Sequence, residues 1–484
     1  MAVANIVPKP NVCVVTDAAV FANLYNLTEQ TDPAMPKNGA YEMNLTATES
    51  TIKAADEQGL FYAKQTMRQL QAVHGSNVPC LVIKDAPAYP YRGIMVDSVR
   101  HMQSVQELKK IIDAAAMFKF NVFHWHLSDD QGFRFESEVF PELIKESSVR
   151  PSSDFGKVHD NTPYGGYYTK EQMKEIVDFC HERFITVIPE FDLPGHMSAV
   201  LHAKPELSCK GEPVAIKTTA GIFPDILCAG KQEVFDFLFK LFDEVCEVFP
   251  DQYIHIGGDE APKKYWKTCP HCQKRKAELG FTDEEQLQGY MTCRIADYLK
   301  AKGRNVICWN ETLASDVLPK DLVIQNWMDK KKKCPSFANN GGKLIYSDYY
   351  HYYTDYPYDM TPVAKTYNAN PVIKGQKAKE NTLGVEAPIW TEHVRDFARL
   401  CYMTWPRFAA VSETGWTKPQ NKNYNDFKER MIALLPVLSD MGIEAAQPKE
   451  WDPNPFTRLF GTTSFFAGTV NKEMILNFLK GNND

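Results

Sequence analysis

No stretch of the 484-residue chain approaches the roughly 18–20 uncharged apolar residues of a membrane-crossing helix. Positive charge is also scarce. Lys+Arg 54 against Asp+Glu 61 leaves −7, so no broad cationic surface exists to meet a phosphate backbone, and nucleic acid is excluded as a partner. The one basic block, Lys330–Lys333, reads as a solvated face. No G-x-G-x-x-G follows a strand, which removes dinucleotide binding. There is no phosphate-binding P-loop and no nucleophile elbow, so phosphoryl transfer and serine-type acyl transfer lose support. An H-E-x-x-H helix is missing, as are internal repeats and low-complexity tracts. Met1 to Pro10 lacks the charged and apolar regions of a signal peptide. Set against a cytoplasmic protein, the expectation is an exported chain (periplasmic, cell-surface or secreted) whose signal peptide is absent from this sequence.

Twelve cysteines are too few for a disulfide scaffold. Cys180, Cys246, Cys308 and Cys401 stand alone in apolar contexts and read as small hydrophobes. Cys269-Pro-His-Cys272 differs: a C-x-x-C with an interposed proline resembles a zinc knuckle, and Cys209 and Cys228 form a second pair upstream.

Hydrophobic residues at 44% and charged residues at 24% support a sizeable core, and aromatics at 12% suit a surface that stacks on flat or ring-shaped ligands. Residues 1–86 read as a small α+β domain, with a strand near Thr51–Ala55 and a helix pattern over Gly59–Val73. The Pro-rich stretch Ala86–Tyr91 marks a boundary. Beyond it eight short apolar runs appear: Arg92–Asp97, Asn121–Leu127, Ile185–Phe191, Tyr253–Ile256, Asn305–Trp309, Leu322–Trp327, Lys343–Tyr346 and Leu383–Trp390. Amphipathic helix patterns separate several of them, notably Val105–Phe118, Lys170–Arg183, Lys231–Phe249 and Glu284–Lys302. This alternation predicts an α/β fold, a (β/α)8 TIM barrel over residues 87–443. A tail, 444–484, carries Phe456, Phe460, Phe465 and Phe466, and is expected either to pack on the barrel or to make a homodimer contact.

The strands end in polar groups that an apolar core would reject. They are Asp97 with Arg100; His124 and His126 before Asp129-Asp130; Glu190 and Asp192 before His196; Asp259-Glu260; Trp309-Asn310-Glu311; Asn326-Trp327; Tyr346 with Asp348; and Glu386 through Trp390 to Glu392. In a barrel these converge on one face, the face that carries catalysis. A carboxylate-rich, tryptophan-lined pit suits a sugar, whose ring faces lie on Trp and whose hydroxyls need acceptors. Most glycosidases set two carboxylates across the scissile bond. Here the conspicuous acids, Asp259 and Glu260, are adjacent and point apart, which fits an acid plus a positioner. The substrate must then supply the nucleophile, and a 2-acetamido group can.

Four motifs, Arg92-Gly-Ile-Met-Val-Asp-Ser-Val-Arg-His101, Phe123-His-Trp-His-Leu-Ser-Asp-Asp130, Pro189-Glu-Phe-Asp-Leu-Pro-Gly-His196 and Gly257-Gly-Asp-Glu260, resemble glycoside hydrolase family 20, the β-N-acetylhexosaminidases, and the resemblance runs from about Ile6 to Met441. It implies an exo-acting, retaining enzyme that removes terminal β-linked GlcNAc or GalNAc from glycans through an oxazolinium intermediate, with no catalytic cofactor. Glu260 would be the general acid and base. Asp259 would orient the acetamido N–H, and Tyr346 would hydrogen-bond its carbonyl oxygen. Arg100, Asp129 and Glu392 would grip sugar hydroxyls, and Asp348 would face the 6-hydroxyl, repelling a 6-sulfate. Trp309, Trp327 and Trp390 would wall the pocket, and His196 would support the acid. The expectation is an ionised Asp259 beside a Glu260 whose carboxyl is raised by apolar surroundings.

The small domain is expected to be shorter than the family's, with only Tyr41–Leu70 matching well. Alternatives are lacto-N-biosidase-type release of a disaccharide and a non-catalytic sugar-binding protein. His124 and Trp125 read equally as core packing, Trp266 as a loop anchor, and Asp130 and Glu136 as rim salt bridges or caps. Asn310-Glu-Thr312 matches a glycosylation sequon but lies within the pit, so it is read as unmodified. The loops bearing Cys209/Cys228 and Cys269/Cys272 are neighbours in a barrel, so the four thiolates are read as a structural zinc site. The rival is a Cys209–Cys228 disulfide with a separate Cys269/Cys272 pair.

Overall fold

The computed structural model describes residues 4–469 apart from Lys157 and Lys320. The small domain is a five-stranded sheet of β1 (Val12–Phe21), β2 (Leu27–Thr31), β3 (Tyr41–Leu45), β4 (Ser50–Ala54) and β5 (Pro79–Asp85), in the order β1-β5-β3-β4-β2. Helix α1 (Glu57–His74) covers one face, and Asp56 caps its start through Gly59 N–H. Only β4 and α1 are legible in the sequence. β1 and β2 lie at the sheet edges, with Val12 and Val14 about half exposed, so no apolar alternation announces them.

Eight parallel strands follow: β6 (Tyr91–Asp97), β7 (Val122–Asp129), β8 (Thr186–Phe191), β9 (Tyr253–His255), β10 (Asn305–Trp309), β11 (Val323–Asn326), β12 (Lys343–Tyr346) and β13 (Thr382–Ile389). Each pairs with the next, and β13 pairs with β6 from Gly384↔Tyr91 to Ile389↔Val96, closing the barrel. The expected runs match these strands to within two residues at either end. Helices α2 (Val105–Met117) and α3 (Lys170–His181) open on capping boxes, Ser104 with Glu107 and Thr169 with Gln172, which satisfy the free N–H groups of the first turn. Helix α4 (Gln232–Val248) buries Phe235, Leu238, Leu241 and Phe242, each contributing about 1.5–3 kcal/mol of burial. The nine-residue α5 (Pro270–Glu278), then α6 (Glu284–Ala301), α7 (Arg407–Trp416), α8 (Tyr424–Asp440) and α9 (Pro455–Thr469) complete the frame.

The barrel interior is layered. Tyr91, Val122, Ile188, Ile307, Val323 and Ile345 form an apolar floor. Two residues further along the strands lie His124, Glu190, His255, Gln325 and Glu386, all fully buried and mutually bonded. The next inward positions open into the pit.

Of the tail, residues up to Asp452 pack on the barrel: Trp451 is fully buried and accepts Val363 N–H through its carbonyl, and Asp452 accepts Ala364 N–H. Phe465 meets Tyr356 and His393 at the rim, while Phe456 and Phe460 are exposed. Residues 470–484 lie outside the described residues. Among the described residues, no helix is long and apolar enough to cross a membrane.

Candidate active site

The end of β9 places Asp259 and Glu260. Gly257 has φ +63°, and a Cβ there would sit 1.6 Å from Asp192 Oδ1, so only glycine lets the chain turn under Asp192. The turn puts Glu260 itself at φ +44°, and His196 on the facing loop lies at φ +52°. Two non-glycine residues held in the left-handed region store strain where chemistry is expected.

His196 joins the acids. Its Nδ1 lies 3.1 Å from Asp129 Oδ1 and 3.1 Å from Asp130 Oδ2, and its Nε2 lies 3.7 Å from Glu260 Oε2. Burial works against a charge on this imidazole, but Asp129, Asp130 and Glu260 hold it well above the ordinary value, so it is a cation. Asp130 also accepts from Ser198 N–H at 2.9 Å, fixing the loop. Asp130 is thus a salt bridge and a cap, as read, though it is 1% exposed and its ion-pair partner is His196. Glu136 is a cap, as read, accepting Lys170 N–H.

Asp129 is also 2.9 Å from His126 Nε2 and 2.7 Å from Arg100 Nη2. Arg100, His196 and His126 overcome its burial and keep the carboxyl well below the usual range. Arg100 donates to Gln131 at 2.8 Å, lies 3.3 Å from Asp97 and 3.8 Å from Glu392, and stacks on Trp390 at 5.1 Å. Beneath, burial opposes the charge on His126, yet Glu190 and Asp129 lift it to about 10, and Glu386 and Glu190 lift buried His124 to about 9. His124 is thus a paired charge in the barrel's polar layer. Trp125 is core.

Asp259 is 9% exposed. Burial raises its carboxyl to about 7, with His196 pulling down and Glu260 and Glu311 pushing up. Its bonded neighbour Asp192 is pushed well above the carboxylate range by burial and by Asp259, so Asp192 holds the proton between them. The carboxylate expected to remain ionised is therefore the one that burial lifts. Glu260, with 29% of its side chain exposed, faces the opening, and its N–H donates to Glu311 at 2.7 Å.

The aromatic wall is continuous. Trp309 is buried and donates to Glu190 at 2.7 Å. Its ring lies 6.1 Å from Trp390, Trp390 lies 6.3 Å from Tyr353, and Tyr353 stacks on Trp327 at 6.3 Å. Tyr346, at the end of β12, is kept a phenol by burial, and its hydroxyl is 3.5 Å from His351 Nδ1. Asp348 accepts from Tyr350 N–H and lies 2.8 Å from the same His351 nitrogen. Tyr349 N–H bonds to Trp327 O, which ties this corner to the wall. Of the strand-end residues expected in the pit, His124, Glu190 and Glu386 lie in the buried layer beneath it. Asn310 is 5% exposed and bonds Trp327 N–H, in keeping with its reading as unmodified. Trp266 is a buried anchor donating to Leu227 O.

Sequence reasoning placed Asp192 and Glu311 at strand ends without giving them a role, and it did not name Asp355. Asp355 is a buried carboxyl lifted to about 8 by burial and by Glu392. Acids after strand ends were visible as a signal, but their tertiary partners were not. Histidine and carboxylate atoms also cluster as His124/Glu190/His255, Asp129/Asp130/His196 and Asp192/His196/Asp259, but these atoms largely bond one another.

Residues 89–419 match the family model for the glycosyl hydrolase family 20 catalytic domain, and residues 5–86 match that for the family's domain 2. The second match takes in far more than Tyr41–Leu70. The chain is 36% identical over 463 residues to a beta-hexosaminidase of Porphyromonas gingivalis, covering 90% of this chain and 58% of that protein, so it spans a little over half of that relative. A beta-hexosaminidase of Akkermansia muciniphila is 32% identical over 450 residues, 88% of this chain and 89% of that one. The solved beta-N-acetylhexosaminidase from Bacteroides fragilis superposes with a TM-score of 0.81 at 28% identity, covering 93% of this chain and 99% of that one.

Proposed function

The chain belongs to glycosyl hydrolase family 20, and on that premise we propose that it is an exo-acting, retaining β-N-acetylhexosaminidase that releases terminal β-linked GlcNAc or GalNAc from glycans. The observation that carries this reading is the division of labour at the end of β9. Glu260 faces the opening with His196 at its back, while Asp259 lies buried against Asp192.

In the first step the Glu260 carboxyl gives its proton to the glycosidic oxygen as the bond from that oxygen to the anomeric carbon breaks. The acetamido carbonyl oxygen bonds to the anomeric carbon from the other face, giving an oxazolinium ion. Tyr346 donates to that carbonyl oxygen and orients it, and Asp259 accepts from the acetamido N–H. The N–H and the positive charge growing beside it both favour the Asp259 anion, which offsets the burial that lifts this carboxyl to about 7. In the second step Glu260 takes a proton from water as the water attacks the anomeric carbon, and the ring opens with retained configuration. Arg100 and Glu392 bind sugar hydroxyls, and the Trp309–Trp390–Tyr353–Trp327 wall packs the ring and the acetamido methyl. Apart from this water, all groups in this sequence come from the chain and the substrate. Export is proposed as the setting, since such glycans are abundant outside the cytoplasm.

The test is turnover of aryl β-GlcNAc and aryl β-GalNAc, with the aryl β-glucoside as control. Cleavage of the acetamido sugars alone is expected, reduced about 10²–10⁴-fold in Glu260→Gln and Asp259→Asn. Equal cleavage of the glucoside would contradict the reading.

A further inference from the structure

We propose that Cys209, Cys228, Cys269 and Cys272 bind one zinc ion as four thiolates, and that this ion staples the loop following β8 to the loop following β9. The four sulfurs lie within 4.8 Å of one another. Measured separations are 3.8 Å for Cys209–Cys272, 3.7 Å for Cys228–Cys269 and 3.5 Å for Cys228–Cys272. A zinc–sulfur bond of about 2.3 Å in a tetrahedron sets the sulfur–sulfur edge at about 3.8 Å. A disulfide requires about 2.05 Å and joins a sulfur to one partner, whereas Cys228 meets two others at nearly equal distance.

The backbone is built for this meeting. Cys228 N–H bonds Leu207 O, and Ser208 bridges to Leu227, so Cys209 and Cys228 are presented side by side. Cys269 is the residue that precedes the first turn of α5, and Cys272 lies in that turn, where the helix dipole favours negative sulfur. The loops then approach until a Cβ on Gly230 would be 2.2 Å from the His271 carbonyl carbon. Lys231 bonds Glu206 O and Ser208 O, which fixes the backbone just before Cys209. Cys228, Cys269 and Cys272 are buried and Cys209 is partly exposed, as in a closed structural site rather than a catalytic one.

The staple lies one short step from the acid. Trp266, six residues after Glu260, donates to Leu227 O, and Leu227 N–H bonds Pro194 O, two residues before His196. The ion therefore fixes both loops that carry the His196–Glu260 pair.

The test is elemental analysis of the whole chain purified without added metal, with X-ray absorption at the zinc edge. About one zinc per chain with four sulfur neighbours near 2.3 Å is expected. Cys209→Ser, altering the most exposed ligand, should weaken retention against a chelator by about tenfold or more, while Cys246→Ser, outside the cluster, should leave it unchanged. Wild-type protein with two disulfides by mass spectrometry, with iron in place of zinc, or with four thiols and no bound metal would overturn the proposal. These measurements do not depend on glycosidase turnover.

Discussion

Asp259 is held in a conflict that the fold imposes. Burial, with Glu260 and Glu311 nearby, favours its neutral form, yet its proposed work requires the anion. In the free enzyme the acid limb of kcat/KM should therefore fall near pH 7, well above an ordinary aspartate. The same shift acts on stability. A folded value of about 7 above an ordinary 3.8 means that the folded state binds more protons between those values, so stability is lost as pH rises from about 4 through 7. Asp259→Asn removes that cost. It should raise unfolding free energy by about 1–3 kcal/mol at pH 8 and leave it unchanged near pH 4, checked by urea titration at both. Tyr346→Phe should lower kcat about 10²-fold on acetamido sugars, since one donor to the developing charge is lost. A wild-type rate in that variant would contradict the role. Asp259, Glu260 and Arg100 were legible because long motifs surround them. The partners of Asp192, Asp130 and Glu311 were not, because they lie 51 to 68 residues away, as in Asp130–Ser198 and Glu260–Glu311.

The loops after β8 and β9 carry the acid, its histidine and its buried neighbours, and the four cysteines meet where these loops approach. If zinc pins them there, its removal should lower kcat about 10–100-fold and leave KM within about twofold, because ground-state contacts on β6, β7 and β13 are untouched. Equal changes in kcat and KM would contradict a positioning role. Among elements, the eight barrel strands were read almost to the residue, since buried parallel strands are short apolar runs ended by polar residues. The edge strands β1 and β2 were missed for the opposite reason: most of their side chains face solvent.

The small domain and the barrel share a buried interface that no local pattern announces. Lys119, fully buried at the end of α2, lies 3.6 Å from Asp85 on β5, donates to Tyr41 OH at 3.0 Å and stands 4.6 Å above the Trp416 ring of α7. Burial lowers its ammonium to about 8 against the pull of Asp85. Asp85 also accepts from Trp416 and Tyr41 at 2.8 Å. Lys119→Met should cost about 3–5 kcal/mol in urea unfolding, because it leaves a buried carboxylate without its cation. A cost below about 1 kcal/mol would mean that the interface is held by packing alone. The interface in turn braces the barrel that supports the pit, so the proposed chemistry belongs to the whole frame. Its central claim is that the substrate's own acetamido group is the nucleophile. The most direct measurement is kcat for aryl β-GlcNAc analogues whose acetyl methyl carries none, one, two or three fluorines. Each fluorine weakens the carbonyl oxygen as a nucleophile, so log kcat should fall steeply and steadily along the series; a flat series would contradict it.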